Sequence, residues 1–176
     1  VEKDDLHQDG GAIQLTGGGF KIECCTFSNC TAFELGGAIA AFALTDDSVV
    51  SNSTFAANFA DPVGNGLGGA LYATAATADV RLTLADTAFE QNWAALGGAV
   101  ATVPIAAVSG CLFDGNAAGY NGGAIVAEGD VEIQAGETLF ANNEACCAGG
   151  AIDVYGFEGD SFASTTVTIG RGVTFA

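Results

Sequence analysis

Residues 113–125 read FDGNAAGYNGGAI, and this stretch contains both of the phrases that repeat along the chain. One phrase is Gly-Gly-Ala followed by Ile, Leu or Val. Its six copies start 25 to 32 residues apart, at Gly10, Gly36, Gly68, Gly97, Gly122 and Gly149. A period of this length is typical of a solenoid, in which each repeat covers the apolar face of the next.

The other phrase, Phe-x-x-Asn, runs in phase with the glycine doublets. Four intact copies and two incomplete ones begin at Phe27, Phe55, Phe89, Phe113, Phe140 and Phe175. The interval from Phe to the next doublet is nearly constant, whereas the interval from doublet to Phe contains insertions at residues 73–78 and 155–164. Loops tolerate added length better than strands do, so we expect loops on that second leg.

Each repeat has the pattern of short strands rather than helices. Apolar and polar residues alternate over residues 80–84, 131–133 and 166–169, where β-branched residues are frequent. The 26 glycines would weaken helices, but they suit corners that need a positive φ. The pattern therefore predicts an all-β fold, a right-handed, single-stranded parallel β-helix of about six coils.

Stacking the repeats aligns four columns of similar residues. They are an aliphatic column (Ile13, Ile39, Leu71, Val100, Ile125, Ile152), an aromatic column (the six Phe above), a small-residue column (Cys25, Ser53, Thr87, Cys111, Thr138, Val173) and an asparagine column (Cys30, Asn58, Asn92, Asn116, Asn143). Neighbouring coils lie about 4.8 Å apart, so each side chain packs on its counterpart. We expect the aromatic and small-residue columns to point inward. Asparagine tolerates the left-handed turn conformation, and we expect the stacked side-chain amides to hydrogen-bond up and down the column.

The chain has 176 residues and one repeating pattern, which predicts a single domain over residues 1–176. No polar cap is visible at either end, so we expect a segment of a longer protein in which further coils of the same chain are neighbours. The net charge of −17 argues against nucleic acid and anionic membranes as partners. No apolar run reaches the roughly 18 residues of a membrane span. Asn29 and Asn52 begin glycosylation sequons, whose use depends on the source of the protein.

The six cysteines lack the Cys-x-x-Cys spacing of a zinc site, and His7 is the only histidine. The sequence therefore predicts no metal and no cofactor. Cys25 and Cys111 fall in the small-residue column, where we expect buried thiols. The other four lie near predicted corners and could pair as Cys24–Cys30 and Cys146–Cys147, or with sequence outside this chain.

The two repeated phrases resemble the polymorphic outer-membrane-protein repeat of chlamydiae. Similar repeats occur in large surface proteins of algae and other microbes. The resemblance covers almost the whole chain, from the doublet at Gly10 to Phe175. It implies a right-handed parallel β-helix that is exported to the cell surface and often acts in adhesion as an autotransporter passenger. Function has to be argued separately, because one fold hosts many functions.

We expect no enzymatic activity in this segment. A glycosidase needs carboxylates that converge across a groove at roughly 5–9.5 Å. Asp153 is the only acid directly after a Gly-Gly-Ala-Ile phrase, and none of the residues that stack on it can act as its partner. The alternative is a carbohydrate-active β-helix, of the polysaccharide lyase or glycoside hydrolase type, whose site lies outside this segment or is not recognisable in it.

The outward column that contains Asp153 instead suggests a surface for a partner protein. Several of its members are apolar for a solvent-facing position: Gln14, Ala40, Tyr72, Ala101, Val126 and Asp153. The alanines of the Gly-Gly-Ala phrases either extend this strip or pack inward at a corner. Because long apolar patches mark partner surfaces, we expect Gln14, Tyr72, Val126 and Asp153 to form the docking face of a structural or adhesive protein at the cell surface or outside the cell.

Overall fold

The computed structural model describes residues 9–61, 64–103, 105–155 and 166–176. All regular secondary structure within these ranges is β-strand. The chain winds through five complete turns of four strands and then through three strands of a sixth turn. The predicted all-β, parallel β-helix is confirmed, with about five full turns where the repeats predict about six coils.

The strands of each turn follow one another in the same order. The first turn contains β1 (Ile13–Thr16), β2 (Lys21–Glu23), β3 (Thr26–Ser28) and β4 (Thr31–Ala32). The second contains β5 (Ile39–Leu44), β6 (Ser48–Ser51), β7 (Thr54–Ala56) and β8 (Phe59–Ala60). The third contains β9 (Leu71–Ala75), β10 (Leu82–Ala85), β11 (Ala88–Glu90) and β12 (Trp93–Leu96).

The later turns repeat this order. The fourth contains β13 (Val100–Val103), β14 (Ile105–Ser109), β15 (Leu112–Asp114) and β16 (Ala117–Asn121). The fifth contains β17 (Ile125–Glu128), β18 (Val131–Ile133), β19 (Leu139–Ala141) and β20 (Glu144–Ala145). The sixth contains β21 (Ile152–Tyr155), β22 (Val167–Ile169) and β23 (Thr174–Phe175).

Corresponding strands of successive turns pair in parallel and form four sheets along the rod. Sheets A, B and C contain the first, second and third strands of all six turns, and sheet D contains the fourth strands of five turns. The core lies between the four sheets, where the aliphatic and aromatic columns meet. Within the described ranges, the structure contains no helix of the length and apolarity that crossing a membrane requires.

The aromatic and aliphatic columns lie in register, as predicted. Phe55 pairs with Phe89, and the same register links all six phenylalanines of sheet C. Their rings stack at centroid distances of 4.7 to 5.0 Å, with interplanar angles of 2° to 10°. In sheet A, Ile39 pairs with Ile13 below and with Leu71 above. Each apolar residue therefore packs on its counterpart one turn away.

The small-residue column forms a hydrogen-bonded ladder in the corner between sheets B and C. The backbone N–H of Cys25 donates to Oγ of Ser53 (3.1 Å), and the N–H of Ser53 donates to Oγ1 of Thr87 (3.4 Å). The hydroxyls of Ser53 and Thr87 donate in turn to the carbonyl oxygens of Ser51 and Ala85, both at 2.7 Å. These side chains thus bond the backbone of one turn to the next, where strand pairing is interrupted by the corner.

The asparagine column occupies the corner between sheets C and D and forms the predicted ladder. The backbone N–H of Asn58 donates to Oδ1 of Asn92 (3.0 Å), and so does Nδ2 of Asn58 (2.9 Å). Asn92 makes the same two bonds to Asn116, and Asn116 makes them to Asn143. In the first turn, the N–H of Cys30 donates to Oδ1 of Asn58 (3.0 Å).

The asparagines of the ladder do not themselves adopt the left-handed conformation that asparagine tolerates. That conformation belongs to the residue before each of them. Asn29, Ala57, Gln91, Gly115 and Asn142 have φ values between 52° and 63°. The left-handed residue turns the backbone at the corner, and the asparagine that follows points inward, where its amide reaches the next turn.

The expected loop at residues 73–78 is shorter than predicted. Strand β9 continues to Ala75, so only the residues from Ala76 onward leave the sheet. In the second expected loop, Tyr155 ends strand β21, and residues 156–164 lie outside the described residues. The insertions therefore follow sheet A, between the first and second strands of a turn.

Replacing Thr102 with valine should stabilise the protein by about 1 kcal/mol. Thr102 is 3% exposed between Ala73 and Ala127 of sheet A, and its hydroxyl has no hydrogen-bond partner among the described residues. Valine keeps the branched shape and removes the unsatisfied group. The control is Thr87→Val, which should destabilise because the Thr87 hydroxyl is bonded to Ala85. Equilibrium unfolding in urea measures the free energy of unfolding of both variants. If the two substitutions changed it in the same direction, the prediction would be wrong.

Candidate interaction surface

The predicted docking face on sheet A lies in register but is only partly accessible. Gln14 is exposed, and Tyr72 and Asp153 are half-buried. Val126, however, is only 3% exposed, and Ala40 and Ala101 of the same column are buried as well. The placement of Val126 in a docking face is therefore wrong, because a buried side chain offers a partner no contact area.

The backbone of the glycine corner explains the burial of Val126. A Cβ placed on Gly97 would lie 3.1 Å from Cγ1 of Val126, so the corner of the previous turn lies directly against this side chain. The alanines of the Gly-Gly-Ala phrases pack inward at the corner, rather than extending the outer strip, in the four middle turns. There, Ala38, Ala70, Ala99 and Ala124 are fully buried. The sheet A face therefore retains only Gln14, Tyr72 and Asp153 as accessible members.

Tyr72 lies in a partly apolar, acidic environment on this outer face. Its ring is 5.7 Å from the ring of Phe42, at an angle of 56°. Burial raises the pKa of the Tyr72 phenol, and the negative charges of Asp9 and Glu128 raise this pKa further. The phenol thus stays protonated and can donate a hydrogen bond at neutral pH.

A second and more exposed surface lies on the outside of sheet D. The column directly after the asparagines contains Thr31, Phe59, Trp93, Ala117 and Glu144 in register. The Trp93 side chain meets the Phe59 ring edge-on, at a centroid distance of 5.8 Å and an angle of 88°. Phe33, directly after β4, and Tyr120, in β16, are also exposed. We call these four residues, Phe33, Phe59, Trp93 and Tyr120, the aromatic surface.

The sequence contains a partial signal for this aromatic surface. An asparagine that points inward places the next residue outward, because side chains alternate along a strand. Phe59 and Trp93 follow Asn58 and Asn92, so the pair could have been found by reading one position past the ladder. Phe33 and Tyr120 occupy other positions of their repeats, and no repeated phrase connects them to this pair.

Two exposed cysteines lie at the end of sheet D, beside the aromatic surface. The N–H of Cys147 donates to the carbonyl oxygen of Tyr120 (2.8 Å), and the N–H of Cys146 donates to that of Ala118 (3.3 Å). A hydrogen bond between the two thiols raises the pKa of Cys147. All six cysteines carry free thiols in the structure, so neither a Cys24–Cys30 nor a Cys146–Cys147 bridge is formed in it. The two pairings remain predictions.

The thiols of the small-residue column differ in accessibility. Cys111 is buried, as predicted, and burial raises its pKa to about 11. Cys25, in the first turn, is only half-buried. Since the thiolate is the reactive form, Cys111 is an inert structural thiol at neutral pH.

An open groove of about 400 Å³ on the outside of sheet B contains charged side chains. Its polar lining consists of Arg81, Asp130, Glu132, Gln134, Thr166 and Thr168. A groove for a sugar chain usually adds aromatic rings to such groups, but none lines this one among the described residues. The described residues also contain no group of three His, Cys, Asp or Glu side chains that could hold a metal ion.

Comparison with known proteins identifies one repeat. The family model of the Chlamydia polymorphic membrane protein repeat matches residues 110–128. This segment contains β15, β16 and β17, and thus one Phe-x-x-Asn phrase and the glycine doublet that follows it. Searches of curated proteins and of solved structures found no significant match. The matched repeat and the stacked parallel sheets together support a parallel β-helix that contains a repeat similar to this one.

Proposed function

We propose that this repeat β-helix is a non-enzymatic adhesive module of a surface-exposed or extracellular protein, and that the aromatic surface on sheet D binds its partner protein. The matched repeat suggests a surface adhesin-type β-helix at the outer membrane or cell surface. The observation that carries the proposal is the exposure of three large aromatic residues on one side of the rod. Phe33 is 60% exposed, and Trp93 and Tyr120 are each 47% exposed.

Exposed aromatic residues on a rigid sheet are suited to binding a protein. Trp and Tyr are enriched among residues that dominate interface affinity, because they bury a large area at a small cost in side-chain entropy. Here they lie on strands whose backbone is bonded to the turns on both sides, so their positions are fixed before binding. The net charge of −17 favours a neutral or basic partner surface over an acidic one.

The interior of the rod supports a structural role for the rest of the chain. The inward columns are occupied by stacked phenylalanines and by buried asparagines with satisfied amides, which suit a rigid support.

The smaller sheet A face of Gln14, Tyr72 and Asp153 is a second candidate contact. The carbohydrate-active alternative would use the sheet B groove. It predicts that the chain releases reducing ends or unsaturated products from polysaccharides.

Replacing Trp93 with serine should reduce adhesion at least about tenfold, the effect expected for a residue that dominates an interface. The measurement is flow cytometry of the fluorescently labelled chain on a panel of cultured animal cells and bacterial cells. Tyr155→Ser is the matched control, since Tyr155 is an aromatic residue of similar exposure (43%) on sheet A. It should change binding less than twofold. If Tyr155→Ser reduced binding and Trp93→Ser did not, adhesion would be assigned to sheet A. If the wild-type chain bound no cell of the panel, the proposed function would be wrong.

A further inference from the structure

The basic side chains of the rod are distributed unevenly among its sheets. Lys21 is in β2 of sheet B, Arg81 directly precedes β10 of sheet B, and Arg171 lies between β22 and β23 in the sixth turn. Lys21 is already paired with Glu23, at 2.7 Å. The described strands of sheets C and D contain several acidic residues but no Lys or Arg. These two sheets therefore present negative charge without a basic side chain on their strands.

Two carboxylates lie side by side next to the aromatic surface, in the middle turns of the rod. Glu90 of β11 pairs in register with Asp114 of β15, so their Cα atoms are about 4.8 Å apart. Both follow an inward phenylalanine and face the outside of sheet C, where they are half-buried. We call them the acidic pair. Like charges on paired strand positions repel each other, so the approach of a cation should be favourable here.

The acidic pair and Trp93 lie on the two sides of one corner. Glu90 is three residues before Trp93, and Asp114 is three residues before Ala117, which pairs with Trp93 in sheet D. The corner between them is formed by the exposed Gln91 and the inward asparagine that follows it. Trp93 is 47% exposed, so much of its indole ring is open to a ligand. A long basic side chain that crosses this corner can therefore reach the indole ring and a carboxylate together.

A β-bulge brings a second exposed aromatic side chain to this region. Trp93 pairs with Ala117, and Leu96 pairs with Asn121, so β16 contains one residue more than β12 over the same interval. Tyr120 lies within this bulge and is 47% exposed. Bulges commonly redirect a side chain next to a functional site. The backbone of Tyr120 is roughly 10 Å from that of Trp93, by strand geometry, which places both rings within reach of one short peptide segment.

We propose that the segment of the partner protein that binds the aromatic surface is basic, and that one of its arginine side chains lies on the Trp93 ring while it bonds to the acidic pair. This inference rests on the proposed function, because it names the chemistry of the partner at the same surface. A guanidinium group stacks on aromatic rings and can form two parallel hydrogen bonds with a carboxylate, whereas the ammonium group of lysine is a point charge. An acidic or purely apolar segment would leave the acidic pair without a counter-charge.

Trp93 provides a direct readout of this contact, because it is the only tryptophan in the chain. The probe is a short glycine–serine peptide that contains several arginines, and the same peptide with citrulline at those positions is its uncharged control. The arginine peptide should change the fluorescence of Trp93 and should bind at least about fivefold more tightly than the citrulline peptide. Its binding should weaken as the salt concentration rises, and the matching lysine peptide should have an intermediate affinity.

Variants that remove one charge locate the binding site. Glu90→Gln and Asp114→Asn should each weaken binding of the arginine peptide about two- to fivefold. Glu132→Gln and Asp79→Asn are the matched controls, because they remove the same charge at exposed positions in sheet B and in the loop before β10, and they should leave the affinity unchanged. Trp93→Leu keeps an apolar side chain without the aromatic ring and should also weaken binding about two- to fivefold, measured by fluorescence anisotropy of a labelled peptide.

Adhesion measured in parallel separates this inference from the proposed function. Competition of the arginine peptide with binding of the chain to cells would support both. If the chain adhered to cells but bound the citrulline peptide as tightly as the arginine peptide, or if all four charge variants had equal effects, this inference would be overturned and the adhesive function would stand. If the chain bound the arginine peptide at Trp93 but bound no cell, the proposed function would be wrong and the site for a basic segment would stand. Circular dichroism confirms that each variant keeps its β-sheet.

Discussion

Replacing Gly98 with alanine is expected to destabilise the protein by about 3 kcal/mol or more. The added Cβ would collide with the carbonyl oxygen of Gly123 in the next turn and would lie 2.5 Å from that of Ala117. Both obstacles are backbone atoms, so relief requires the corner to move away from its neighbour. The second glycines of the other inner doublets, at Gly37, Gly69 and Gly123, face the same kind of backbone contact. The doublet is therefore required by close approach of the turns.

Gly18→Ala is the matched control for Gly98→Ala. Gly18 has a φ of +62°, but a Cβ there would meet nothing within 4 Å. Its substitution measures only the cost of a left-handed alanine, about 1 to 2 kcal/mol. Thermal or urea unfolding of the two variants compares this backbone strain with the collision at Gly98. A loss at Gly98 no larger than that at Gly18 would mean that the turns can separate at little cost.

Replacing Asn92 with alanine is expected to destabilise the protein by about 4 kcal/mol, since several buried polar groups lose their partners at once. The Asn92 side chain is fully buried and accepts two hydrogen bonds from Asn58. It also donates to the carbonyl oxygen of Phe55 (3.0 Å) and to Oδ1 of Asn116 (2.9 Å). Alanine removes all four bonds and deprives buried polar groups of Asn58, Phe55 and Asn116 of these partners.

Gln91→Ala provides the control beside Asn92. Gln91 is exposed, and alanine also occurs at its left-handed position, since Ala57 has the equivalent φ of 54° one turn below. This substitution should change the free energy of unfolding by about 0.5 kcal/mol or less. Urea unfolding at equilibrium measures both variants. If Asn92→Ala lost less than about 1 kcal/mol, the ladder would be filling space rather than bonding the turns together.

The repeated phrases were sufficient to predict the columns, because each column takes its residues from one fixed position of a phrase. Phe89 lies above Phe55 since both begin the same phrase, and any other alignment would bury polar residues in the aromatic stack. The repeated phrases did not show which residue of each corner is left-handed. Both an exposed Gln91 and a buried Asn92 are compatible with a turn, and only the backbone path shows that Gln91 is the left-handed residue.

The surface was less predictable than the core. Strand alternation assigns Val126 to the outer face, which is correct, but it does not show that the Gly97 corner covers that side chain. The aromatic surface contains Phe33, Phe59, Trp93 and Tyr120, which come from four different turns. Two of them lie outside any column of the repeat. Sequence spacing therefore groups Phe59 with Trp93 but gives no reason to add Phe33 and Tyr120.

The sequence by itself determined the class of fold, the parallel order of the turns and the register of the core. These follow from similar residues recurring in the same order in every repeat, since like side chains stack well on one another when turns lie about 4.8 Å apart. Only the tertiary structure decided which outward residues are covered by corners, and which aromatic residues outside the repeated columns are exposed on sheet D. Those properties depend on the path of the backbone between the repeats, and the repeated phrases do not predict that path.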